Sequence, residues 1–121
     1  MNSDVRTTVE GIAKKVYAEL RGGYLESVYQ QAMAIEFREL GIAYEIEHTR
    51  EVFYRGQRVG EHKLDFLVLD DLVIELKSVD KVSKAMRAQL GAYLRNMNIK
   101  AGLLVNFPNE GDEPIIEPIE G

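Results

Sequence analysis

A chain of 121 residues, 45% hydrophobic and 29% charged, is long enough to bury a core and too short for two, so one domain over residues 1–121 is expected. No window approaches the roughly 18 apolar residues of a membrane span, and the lack of cysteine excludes disulfides and thiolate metal sites while being compatible with a cytoplasmic protein. The net charge of −5 disfavours indiscriminate nucleic-acid binding, but it is unevenly spread. Leu76 to Phe107 carries six bases against Asp80 alone, whereas an acidic tail from about residue 108 to 121 carries five acids and no base.

The first segment, "MNSDVRTTVEGIAKKVYAEL", mixes acids with its bases and suits neither a secretory signal nor a transit peptide. Val5, Val9, Ile12, Val16 and Leu20 recur at helical spacing, and Gly22-Gly23 supplies the stop. A second helix is expected after it, with Leu25, Val28, Ala32, Ile35 and Leu40 as its apolar stripe and Gly41 closing it. From Ile42 the period changes to two: "IAYEIEH" and "REVFYRG" read as strand, and a turn at Arg55-Gly56 or Gly56-Gln57 leads into "RVGEHKLDFLVL".

Asp70-Asp71 marks the next hairpin, before the central strand "LVIELKSV". Val82, Met86, Gln89, Leu90, Tyr93 and Met97 mark a third helix, capped near Asp80, and "AGLLVNF" returns as a strand parallel to "LVIELKSV". "EPIIEPIE" reads at best as a frayed edge strand. The fold class is α/β, in the order α-α-β-β-β-α-β.

The strands carry charges where a buried sheet should not. Side chains alternate along a strand, so Glu75 and Lys77 share a face. Asp65, in the preceding strand, can approach Glu75 across the hairpin. The two carboxylates lie ten positions apart. A two-residue loop would send them to opposite faces, so an odd loop of about three residues, or a bulge near Asp65, is required to bring them together.

Two adjacent carboxylates repel, and a divalent cation removes the repulsion; oxygen ligands without cysteine or a spaced histidine pair favour Mg²⁺ or Mn²⁺. A lysine beside such an ion can orient an attacking water and offset charge growing on a phosphoryl oxygen. The alternatives are a cross-strand salt bridge at a solvated sheet face and a purely structural protein with a buried ion-pair network, which predicts no metal affinity. Gln89 interrupts the third helix's stripe. Tyr93 is expected in the core with its hydroxyl paired, and His48 and His62 at the surface or in packing roles. Lys81, Lys84 and Arg87 form a run that either meets phosphate or is an ordinary solvated face.

"LDFLV" followed by "VIELK" resembles the D…(D/E)-x-K part of the PD-(D/E)XK nuclease superfamily, with Leu64 where that pattern often has proline. "GYLESVY" is similar to the motif of GxxExxY proteins at Gly23, Glu26 and Tyr29, and "AQLGAYLR" and "GLLVNF" follow in that family's order. The resemblance covers roughly residues 20 to 107. It implies a restriction-endonuclease-like core, a mixed sheet flanked by helices. Asp65, Glu75 and the Leu76 carbonyl would be metal ligands, Lys77 the catalytic lysine, and Glu26 a helix-borne acid and further ligand. The helical wheel sets Glu26 at the edge of the apolar face, beside Tyr29 and Met33.

The implied function is a Mg²⁺-dependent nuclease acting on DNA or RNA, with Lys81, Lys84, Arg87 and Gln89 as candidate substrate contacts. The rival is a non-catalytic module that keeps the nuclease-like sheet and binds nucleic acid or protein. A chain this short would leave specificity to a protein partner or a homodimer.

Overall fold

The computed structural model describes residues 3–121; Met1 and Asn2, the first residues of the expected domain, lie outside the described residues. Two helices, α1 (Ser3–Leu20) and α2 (Glu26–Glu39), precede three strands, β1 (Tyr44–Tyr54), β2 (Gln57–Val68) and β3 (Leu72–Lys77); α3 (Lys84–Met97), β4 (Ala101–Asn106) and β5 (Ile115–Glu120) complete the chain. The sheet runs in the order β1-β2-β3-β4-β5. Its pairings are antiparallel except β3 with β4, which is parallel as a strand-helix-strand crossover requires.

Alternation sorts the sheet's apolar residues into two layers. Leu72, Ile74 and Leu76 of β3 join Leu103, Val105 and Phe107 in a core with α1 and α2, while Val73 and Leu104 pack with Leu90, Leu94 and Met97 of α3. Glu75 and Lys77 have the parity of Val73 and therefore belong to the α3 side.

The first helix buries Val9, Ile12 and Val16 as its spacing indicates, with Ala13 and Tyr17 beside them. The second does not follow its expected stripe. Leu25, Val28, Ile35 and Leu40 are exposed, and Tyr29, Met33 and Phe37, at strict i, i+4 spacing, face the core with Gln30 and Ala34. Two aromatic rings and a methionine bury more apolar area than the aliphatic row they displace, so the helix rotates to put them inside. Gly41 adopts φ 68° just beyond the helix, as a closing glycine should.

Two further expectations are corrected. The acidic tail is no frayed edge, because β5 pairs with β4 along all six residues from Ile115 to Glu120. The cap of α3 is Ser83 rather than Asp80; its side chain accepts from the Met86 N–H at 3.2 Å. Asp80 instead accepts from the Asn109 side chain at 2.8 Å.

Candidate active site

The loop between β2 and β3 is Leu69-Asp70-Asp71, three residues, closed by the Asp71 N–H donating to the Val68 carbonyl at 3.2 Å. Leu69 and Asp70 both take positive φ, 52° and 63°, the backbone of a tight turn matched to strand twist. The rungs Val68–Leu72, Leu67–Val73 and Phe66–Ile74 follow, and the next in sequence opposes Asp65 to Glu75. The odd loop expected from parity is therefore present.

At that position the ladder stops and side chains take over. The Leu76 N–H donates to Asp65 Oδ2 at 2.7 Å, and the Asp65 N–H donates to Glu75 Oε1 at 3.2 Å. Each carboxylate thus satisfies a backbone donor left unpaired where the two strands part. A residue's N–H and C=O point to the same neighbouring strand, so the Leu76 carbonyl also faces β2, beyond the last rung. A distortion on the other side of Asp65 accompanies the opening. The β1–β2 ladder skips from Ile46–Phe66 to His48–Leu64, and Glu47, opposite Asp65, has φ 54°. Phe66 packs with α1 and α2, but Leu64 packs with α3, so the alternation resets at Asp65 without an inserted residue.

The electrostatics are strained. Glu75 is only 7% exposed; burial, together with the adjacent Asp65 carboxylate, pushes its pKa up to about 8. Burial also raises Asp65, against the opposing pull of the Leu76 N–H and of Lys77. Glu26 is raised as well, by burial first, with Lys77 lowering it and Asp65 raising it. Glu26 thus shares the field of the pair without joining it. Among the described residues no three His, Asp or Glu side chains converge closely enough to chelate an ion together. The pair itself fits a divalent cation in its chemistry: a buried and a half-buried carboxylate, both pushed toward the proton-bound form, with a backbone carbonyl beside them.

The helix that carries Glu26 is set by its neighbours. Gly23 has φ 104° and Gly22 lies where a Cβ would sit 2.3 Å from the Asn109 carbonyl oxygen, so the turn after α1 needs both glycines. Tyr29 closes that turn by donating its hydroxyl to the Arg21 carbonyl at 2.6 Å, and its ring stacks on Phe107 with centroids 4.3 Å apart. Gly23, Glu26 and Tyr29 therefore act together: a turn, a helix start whose acid feels the charges of Asp65 and Lys77, and the anchor that fixes both.

Sequence reasoning missed Gln30, one helical turn after Glu26, whose Nε2 donates to the Asp65 carbonyl at 3.1 Å and lies 3.5 Å from Asp65 Oδ1. Its i+4 relation to Glu26 was the available signal. It also missed Asn106, fully buried, which grips Val79 through Oδ1 at 3.0 Å and Nδ2 at 2.8 Å and so fixes the chain leaving Lys77.

The remaining candidates are dispersed. Lys81 and Lys84 are exposed around the start of α3. Arg87 is held by both oxygens of Glu117, at 2.5 and 3.0 Å, and is not a free cation. Gln89 is exposed, and Tyr93, one helical turn on, has its hydroxyl pKa raised by burial and by the Glu75 charge. His62 is 5% exposed and stacked on Tyr93 at 3.8 Å, with neither ring nitrogen hydrogen-bonded. Burial lowers its pKa, so it is a neutral packing residue.

No helix among the described residues is long and apolar enough to cross a membrane. No curated protein matches this sequence closely. Among solved structures, the fold is similar to that titled SSO0001, with TM-score 0.56 and 18% identity over 78% of this chain; this chain spans about half of that one, 48%. It is also similar to an alkaline exonuclease, LHK-Exo, from Laribacter hongkongensis, with TM-score 0.51 and 13% identity over 98% of this chain and 82% of that one. The family model for the PD-(D/E)XK nuclease superfamily matches residues 3–117. With a mixed five-stranded sheet, opposed acids on adjacent strands and that match over nearly its whole length, the chain belongs to the PD-(D/E)XK nuclease superfamily.

Proposed function

We propose that the protein is a cytoplasmic Mg²⁺- or Mn²⁺-dependent nuclease that hydrolyses nucleic-acid phosphodiester bonds, and that it stands with the GxxExxY proteins within its superfamily. The observation carrying this reading is the opposition of Asp65 to Glu75 across β2 and β3, with Lys77 on the face of Glu75. A divalent cation held by Asp65, Glu75 and the Leu76 carbonyl, with Glu26 as a further acid, would supply an activated water and neutralise phosphoryl charge.

The chain's own residues set the stage for this chemistry. Half-buried Lys77 presents a positive charge beside the carboxylates, where it orients the attacking water and offsets the charge that grows on the phosphoryl oxygen. Glu26, whose pKa is raised first by burial, would exchange a proton beside the carboxylate pair. Gln30 fixes Asp65 through its carbonyl and carboxylate, and Asn106 keeps the chain beyond Lys77 in place. Lys81 and Lys84 neutralise phosphates flanking the reacting one. Exposed Gln89 is a further substrate contact, and Arg87 contributes only if it leaves Glu117.

The test is metal-supplemented cleavage of single-stranded, duplex and branched DNA and RNA. Lys77→Ala should lose at least about 100-fold in cleavage rate while keeping most of its affinity, because the lysine acts mainly in the transition state. The rival, a binding module, predicts no cleavage by wild type, and a loss of affinity for Lys77→Ala equal to that of Lys81→Ala.

A further inference from the structure

The strands β1 and β2 outrun the rest of the sheet. β3 pairs with β2 only through Phe66, Leu67 and Val68, yet β2 continues back to Gln57 and stays paired with β1 from Thr49 to Tyr54. This overhang parts from β3 at Asp65, where the alternation resets toward α3. The hairpin arm therefore leaves the sheet beside Asp65 and runs across α3, where His62 stacks on Tyr93 with centroids 3.8 Å apart. Its tip is the two-residue turn Arg55-Gly56, at φ 52° and 75°, and the register shifts between Val52 and Phe53, which twists the tip. Asn96 of α3 steadies the arm by donating to the Glu51 carbonyl at 3.2 Å.

Beyond that contact the arm exposes what a free hairpin has no structural reason to carry. Phe53, Tyr54 and Val59 are 56%, 63% and 63% exposed. Arg50, Arg55, Arg58 and Lys63 outnumber Glu51 and Glu61 along it, in a chain of net charge −5. Arg58 is occupied, with Nη2 3.0 Å from Glu61 and Nε 3.8 Å from Glu51. Arg55 lies over the Tyr54 ring, 5.4 Å from its centroid. Exposed rings interleaved with arginines stack unpaired bases and neutralise the backbone between them. A duplex hides its base faces, so the rings select unpaired strands.

We propose that the β1–β2 arm, through Phe53, Tyr54 and Arg55, binds single-stranded nucleic acid and leads it to the site at Asp65 and Glu75. The delivery to a cutting site rests on the nuclease reading; the binding rests on the arm alone. At about 3.3 Å per strand residue, Gln57, the partner of Tyr54, lies at most roughly 26 Å from Asp65. A stacked strand at about 3.4 Å per nucleotide spans that distance in about eight nucleotides.

The experiment is fluorescence anisotropy in a metal chelator, with labelled DNA and RNA single strands of about 15 nucleotides, the matching duplexes, and strands of about five nucleotides. It compares wild type, Phe53→Ala/Tyr54→Ala and Arg55→Ala, with sedimentation and thermal melts of each. The double variant should bind the longer single strands at least about 10-fold more weakly. It should keep the melting temperature of wild type, and the short strands should not distinguish the two proteins.

Undiminished binding by the double variant, tighter binding of duplex than of single strand, or no binding by wild type overturns the proposal. So does a loss of self-association as the variant's only change, which would make the arm a protein contact. A wild type that binds through the arm and cuts nothing overturns the nuclease reading and leaves the arm standing. A wild type that cuts, with the arm variants cutting and binding unchanged, does the reverse.

Discussion

Replacing Glu75 by Gln probes the central feature of the site, a carboxylate whose pKa is pushed up to about 8 by burial and by Asp65. In the unfolded chain the same group titrates near 4.3. The folded value is raised, so the stability it contributes is fully present below the unfolded pKa and is lost as pH rises toward about 8. Each pH unit inside that window is worth about 1.4 kcal/mol.

Between about pH 6.5 and pH 9, metal-free wild type should lose roughly 2 kcal/mol through this group, which for a chain of 121 residues is a fall of about 8 °C in melting temperature. Glu75→Gln keeps an oxygen to accept from the Asp65 N–H and never ionises, so its melting temperature should fall far less over the same range. It should equal or exceed wild type at pH 9. Mg²⁺ or Mn²⁺ should raise the wild-type melting temperature most at the alkaline end, by binding the ionised form, and leave Glu75→Gln nearly unmoved. Thermal melts across pH with chelator and with each metal are the assay. A Glu75→Gln protein that falls with pH as steeply as wild type, or is strongly destabilised near pH 6.5, would refute the reasoning and favour an ion-pair role.

Three other outcomes are expected. Tyr29→Phe removes the bond to the Arg21 carbonyl; it should cost about 1 kcal/mol in a denaturant melt and slow cleavage several-fold by loosening the turn before Glu26. His62→Phe keeps the ring against Tyr93 but removes two buried nitrogens without partners, and should stabilise the protein by about 1 kcal/mol near pH 7. Because the folded His62 pKa is lowered, wild-type stability from this group is complete above about pH 6.5 and lost as pH falls below it, so the gain should widen toward pH 5 in melts. Arg87→Ala should leave nucleic-acid affinity within about twofold, since Glu117 already occupies it, whereas Lys81→Ala/Lys84→Ala should weaken binding and reduce its salt slope by about two, read by anisotropy across salt.

Where the fold was legible in sequence, a single period or a parity decided it. The alternation of "LVIELK" and the spacing from Asp65 to Glu75 admit only an odd loop or a bulge near Asp65 if the acids are to meet, and Leu69-Asp70-Asp71 is the odd loop. Gly22-Gly23 and Gly41 mark turns because their backbone permits what other residues resist. Where two patterns compete on one element, periodicity alone does not choose. The aliphatic row of α2 and the row Tyr29, Met33, Phe37 have equal claims until the sheet supplies a surface that suits the larger rings.

Contacts between distant segments left still less trace. Glu117 reads as one more acid in a tail until β5 aligns with β4 and sets it against Arg87. Gln30 reads as a polar interruption until the strand end at Asp65 arrives beside it. Nothing local to Ser83 separates it from Asp80 as a helix cap; the Asn106 grip on Val79 fixes where the chain turns, and so which residue begins the helix.

The pairing of β5 gives the acidic tail a second role, as a guard against self-assembly. β4 is apolar along "AGLLV", and without β5 its backbone donors and acceptors would form an open edge of high β propensity and no charge. β5 covers that edge with a strand whose own outer side is blunted by Pro118 and by Glu117 and Glu120. Loss of the residues beyond Pro114 would therefore turn the covered β4 edge into a template for adding further strands, at the same time as it freed Arg87. Resistance to strand addition here belongs to strand order as much as to net charge.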